Sequence, residues 1–150
     1  MHSIKAAELF MEGFNCAQAV FAAFEDVTGI NKTDATKLAS GFGGGIGGIR
    51  EVCGAFNGIV MVYNFLYGYI DPSSAEEKSR VYSDIQALAD CFKTKVGNLT
   101  CREILKNGID TSDMNDIEKT YCEKRPCAKL VITASKILDE FIDNNPIRMS

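Results

Sequence analysis

Ala17, Val20, Phe21, Phe24 and Val27 recur every three or four positions, the spacing of one helical face, and Gly29 follows where such a helix would stop. The pattern predicts a helix over 15–28. Lys5, Glu8 and Glu12 stand at helical spacing ahead of it, and Thr33 can cap a short helix that runs to residue 40. An uncharged run from Val52 to Ile70 predicts a central helix over about 53–67, closed by Gly68 and an Asp71-Pro72 turn. Ser74 opens a long amphipathic helix with Val81, Ile85, Leu88 and Phe92 on one stripe and Gly97-Asn98 as its terminator. Thr100 and Glu103 have the spacing of a capping box, and Pro126 marks the start of a last helix through residue 142. No strand-like alternation persists. The expected fold class is therefore all-α: one domain over 1–150, a bundle of four or five principal helices with short additional ones.

The uncharged run is long enough to span a bilayer, but Gly54, Gly58, Gly68, Asn57, Asn64 and three tyrosines interrupt it. That composition suits the central helix of a bundle. Sixteen basic and 20 acidic residues give a net charge of −4 with neither sign gathered into a block, which argues against a nucleic-acid partner. The first residues, MHSIKAAELFMEG, lack the apolar core of a signal peptide, so the expectation is a cytoplasmic protein that does not span a membrane. The only histidine, His2, is expected at a mobile terminus, which leaves no basis for a His-dependent triad or a His-rich metal site.

Six cysteines in a reducing compartment read as redox thiols or metal ligands rather than as a disulfide framework. Asn15 and Thr100 are good N-caps, so Cys16 and Cys101 fall in first helical positions; Pro126 places Cys127 in a first turn, and Cys53 stands at the mouth of the central helix. Unpaired amides and the macrodipole at those positions favour an anion, so all four thiols are expected to ionise below the ordinary value of about 8.5. Cys91, in a helix body, reads as a small buried hydrophobe. Cys122 ends a short helix or lies in the following loop, and its spacing to Cys127 permits a local disulfide only if the turn brings the Cα atoms to about 6 Å.

The stretch GFGGGIGGIREVCGAFNG, 41–58, holds eight of the chain's 13 glycines around Cys53. It matches no phosphate-binding loop and follows no strand, and Phe42, Ile46 and Ile49 need burial, so it is expected to be a tight, packed loop. Its amides, Gly44 and Gly45 among them, can point at an anion such as the Cys53 thiolate. Gly54 and Gly58 share a helical face, which allows either a cofactor or a second helix to approach beside Cys53.

VCGAFNG preceded by SGFGGGIGG, with NCAQAV upstream and CREIL and Pro126-Cys127 downstream, resembles the C_GCAxxG_C_C family of redox-active proteins. The likeness extends from about Phe10 to Leu138. It places the family's cysteines on Cys16, Cys53, Cys101 and Cys127 and its motif glycines on Gly54 and Gly58, with Cys91 and Cys122 as additions. It implies redox chemistry and genes near those of transporters, but no substrate. Two readings follow. In the first, Cys53, with Arg50 close by, attacks in thiol–disulfide exchange with a redox partner protein, and Cys16 resolves, with no further cofactor. In the second, the same four cysteines ligate an iron–sulfur cluster or zinc. A third, an inert partner of a transport system, rests on the gene neighbourhood alone.

Overall fold

The computed structural model describes residues 1–147. Among them are nine α-helices and no strand: α1 (His2–Met11), α2 (Cys16–Ala23), α3 (Glu25–Thr28), α4 (Lys32–Ala39), α5 (Gly54–Tyr67), α6 (Ala75–Val96), α7 (Cys101–Asn107), α8 (Asp116–Lys124) and α9 (Ala128–Asn144). The all-α expectation holds, with α1, α2, α5, α6 and α9 forming the bundle. None of these helices is long and apolar enough to cross a membrane.

The core sits around α9, whose first eight residues, Ala128 to Ser135, are all buried. It packs against α1, α2, α5, α6 and α8, and α2 packs in turn against α5 and α4. Small residues make this possible. Ala17, Ala19 and Ala23 on α2 are fully buried, and Gly58 on α5 faces Val20, where an added Cβ would stand 2.6 Å from Val20 Cβ. The α2–α5 contact therefore depends on the missing side chain, and Gly58 serves helix packing.

Local chemistry accounts for most boundaries. Asn15 and Asn115 form complete capping boxes with Gln18 and Glu118, Ser74 accepts from the Glu77 amide, and Gly29 and Gly97 end α3 and α6 in left-handed conformation. Four expectations need correction. The helix over 15–28 breaks at Phe24, whose backbone leaves the helical region. Asn31, not Thr33, caps α4, accepting from the Asp34 amide. Thr100 makes no side-chain cap; it lies in an isolated antiparallel bridge with Val52, and the first amides of α7, those of Cys101 and Arg102, donate instead to Glu51 and Arg50 carbonyls. His2 is held in place: its ring stacks on Phe24 at 4.1 Å and hydrogen-bonds Asp139 at 2.5 Å and Asp26 at 2.8 Å.

Candidate functional site

Each of the four helix-start cysteines is positioned by a different local device. Cys16 is the first residue of α2, fixed by the Asn15 capping box, and the Asn15 side chain also donates to the Ser40 carbonyl. Cys53 is the N-cap of α5 and Cys101 the first residue of α7. Cys127 is the N-cap of α9, preceded by a turn that Pro126 opens; Arg125 ahead of the proline is extended, as proline requires of its neighbour.

The Val52–Thr100 bridge joins two of these starts. Cys53 N donates to Leu99 O at 2.9 Å and Cys101 N to Glu51 O at 2.6 Å. Cys53 and Cys101 each follow directly on one member of the bridge, so the bridge ties the start of α5 to the start of α7. Gly54 brings in a third, since an added Cβ there would stand 3.3 Å from Cys16 Cβ. Cys16, Cys53, Cys101 and Cys127 all line one cavity of about 340 Å³.

The glycine loop forms one wall. It is folded on itself by backbone hydrogen bonds, among them Gly47 N to Gly41 O, Arg50 N to Gly44 O and Glu51 N to Gly45 O. Gly44 and Gly45 line the cavity with positive φ; a Cβ on Gly45 would fall 2.7 Å from Arg50 Cα, so no other residue fits. Gly54 also lines the cavity, whereas Gly58 is not part of its lining. The loop is packed, but Ile46 and Ile49 at its tip are exposed, 37% and 60%, contrary to the burial expected of them. Hydrogen bonds within the loop's own backbone hold it without those side chains.

Burial reverses the expected acidity. Cys53 is 2% exposed, and loss of water pushes its thiol up to about 11, although the amides of Ala55 and Phe56 donate to the sulfur and act the other way. Cys16 is pushed far above the ordinary thiol range, first by burial and then by the charges of Cys53, Cys127 and Cys101, with Arg125 opposing. Cys127 is raised by burial and by Cys101, against Arg125 and Arg50. A helix terminus carries roughly half a unit charge, too little to offset desolvation at such depth. Arg50 is also displaced from its expected neighbour. Its Nη1 lies 3.6 Å from Cys101 Sγ rather than beside Cys53.

Two cations at this site escaped the reading of the sequence. Arg125 and Lys124 line the cavity. Arg125 donates to the Phe10 and Phe14 carbonyls, and its guanidinium sits 3.5 Å over the Phe10 ring. Their place directly before Pro126-Cys127 was the available signal. Cys91 is half-buried on α6 beside Phe141, and Cys122 is buried near the end of α8; neither lines the four-thiol cavity. All six cysteines are free thiols, so the local Cys122–Cys127 disulfide is not formed. Among the described residues no three Cys, His, Asp or Glu side chains are grouped closely enough to hold one metal ion.

No curated protein and no solved structure matches the chain. The model of one family, described as "Putative redox-active protein (C_GCAxxG_C_C)", matches residues 14–141 and so takes in all four cysteines, the glycine loop and every helix from α2 to most of α9. This chain belongs to the C_GCAxxG_C_C family.

Proposed function

We propose that the protein is a thiol redox carrier in which four cavity cysteines exchange electrons with a disulfide-bearing partner protein. The observation that carries this reading is that one cavity is lined by thiols drawn from four separate helix starts, while Cys91 and Cys122 stand apart. The thiols also act on one another electrostatically, which links all four into one set. Among thiols, Cys53 acts most strongly on Cys16, and Cys101 on both Cys53 and Cys127.

Cys101 is the entry thiol. Among the four it has a cation donating to its sulfur, the Arg50 guanidinium, whose side chain is exposed and so marks the side of the cavity that a partner can reach. Cys53, the attacking thiol on sequence grounds, is too deeply buried to ionise first. The Cys101 thiolate attacks one sulfur of the partner's disulfide, that bond breaks, and the departing sulfur takes up a proton. Cys127 then displaces the second sulfur, leaving a Cys101–Cys127 disulfide and two partner thiols, so that two electrons and two protons have left the protein. Cys53 and Cys16 can reduce the outer pair in turn, each bond formed replacing one broken.

A second reading, iron–sulfur ligation by the same four thiols, has one observation in its favour: the Ala55 and Phe56 amides aimed at Cys53 sulfur, donors of the kind that tune clusters. Anaerobic purification followed by metal analysis and thiol counting in graded dithiothreitol buffers separates the two. The carrier reading expects metal-free protein that loses its thiols in pairs, each pair in a two-electron step with a tenfold change in ratio per about 30 mV. Stoichiometric iron with protected thiols would replace it with the cluster reading, and four thiols that stay free under oxidising buffer would overturn it.

A further inference from the structure

Beyond the Arg50 guanidinium that donates to Cys101, the cavity carries positive charge that the carrier reading does not use. Arg50, Lys124 and Arg125 line it, no aspartate or glutamate does, and the chain as a whole is acidic at −4. Among the described residues none of the three cations is paired with a carboxylate; the ion pairs formed involve other residues. Arg125 is anchored by backbone carbonyls and an aromatic face, an arrangement that fixes its plane without neutralising it. Arg50 is held at φ 69, in the left-handed region that non-glycine residues rarely adopt, by its amide on Gly44 O and its carbonyl under Arg102 N. At about 340 Å³ the cavity falls at the small end of ligand sites, and Phe10, Ile104, Leu105 and Leu130 supply an apolar wall.

We infer that the cavity binds a small anionic organosulfur compound, with its carboxylate or other oxyanion on Arg125, Lys124 and Arg50 and its sulfur toward Cys101. The planar guanidinium suits a carboxylate in two-point contact, and a cation-lined cleft raises the local concentration of anions. The inference rests on the thiol reading for its chemistry and deepens it by naming a substrate class. With the compound as a symmetrical disulfide, Cys101 thiolate attacks one sulfur and the first half leaves as a thiol. Cys127 then releases the second half, so the disulfide takes two electrons and two protons and the protein is left with one internal disulfide. A bound carboxylate holds the reacting sulfur in place for the attack.

The test uses the whole reduced chain and three disulfides of different charge: oxidised glutathione (anionic), hydroxyethyl disulfide (neutral) and cystamine (cationic). Second-order rates of thiol loss are expected to favour the anionic over the neutral compound by about tenfold, and the cationic one to be slowest. The preference should shrink as salt rises. Arg125→Gln should collapse the anionic-to-neutral ratio; because Arg125 also holds the Phe10 and Phe14 carbonyls, Lys124→Gln at an exposed position provides a second variant with a partial loss. Binding of S-methylglutathione, which cannot exchange, is measured in parallel by calorimetry. Equal rates for the three disulfides together with no S-methylglutathione binding would overturn the inference. S-methylglutathione binding that weakens in Arg125→Gln, with no disulfide reacting, would uphold the anion site and remove the exchange reading instead.

Discussion

Cys53 shows how far one side chain's surroundings can move its chemistry. At a helix start it has amide donors for an anion, and burial still pushes the thiol up to about 11. The sign for stability follows. Between the ordinary thiol value and about 11 the folded protein keeps a proton that the unfolded chain has lost, so stability is full below that window and falls as pH rises through it. Cys53 alone accounts for on the order of 2–3 kcal/mol. Denaturant unfolding of reduced protein from pH 8 to 11 should show this fall. Cys53→Ala should flatten part of it, and an unchanged slope in that variant would contradict the assignment. Alkylation with iodoacetamide near neutral pH should label Cys101 first and Cys16 and Cys53 last, with Arg50→Gln slowing Cys101 selectively. The placement of these thiols at helix starts was legible from Asn15, Pro126 and the glycines. Their acidity was not, because it depends on water excluded by residues distant in sequence.

At the scale of elements, the α2–α5 contact joins fold to site. Gly58 lets α5 lie on Val20, and Gly54, one turn earlier, lets the same helix bring Cys53 up to Cys16. Gly58→Leu should therefore destabilise the protein by about 1–3 kcal/mol or more through overpacking, measured by denaturant midpoint. Val20→Ala should recover part of that loss in the double variant; no recovery would mean that the glycine serves something other than this contact. Loss of the α2 capping box in Asn15→Ala should cost about 1 kcal/mol. It should also speed Cys16 alkylation, since the first turn then frays. Capping chemistry read from the sequence placed the starts of α2 and α6 and the ends of α3 and α6, but named Thr33 where Asn31 caps α4. It failed at Thr100, where a side-chain cap competed with Glu51 and Arg50 carbonyls arriving from the glycine loop. Nothing local to residues 98–103 announces that pairing.

For the molecule as a whole, the fold class was legible because helical periodicity and the absence of alternation are local properties summed along the chain. The convergence of four helix starts on one cavity was only half legible. The motif pointed to the four cysteines that line the cavity, but the long-range Val52–Thr100 bridge and the packing of α9 bring them together, and neither leaves a periodic trace. Arg125 belongs to the same class: its place beside the thiols is set by the turn before α9 and by Phe10 on α1. The exposed Ile46 and Ile49 mark the limit of composition as a guide, since a loop closed by its own backbone does not need its apolar side chains inside. The central claim is that Cys16, Cys53, Cys101 and Cys127 form one redox unit from which Cys91 and Cys122 are excluded. Peptide mapping of disulfides trapped by acid quench at the midpoint of an oxidation series tests this most directly. The account predicts bonds that join only those four residues, led by Cys101–Cys127, with Cys91 and Cys122 recovered as free thiols. A dominant bond to Cys91 or Cys122 would contradict it.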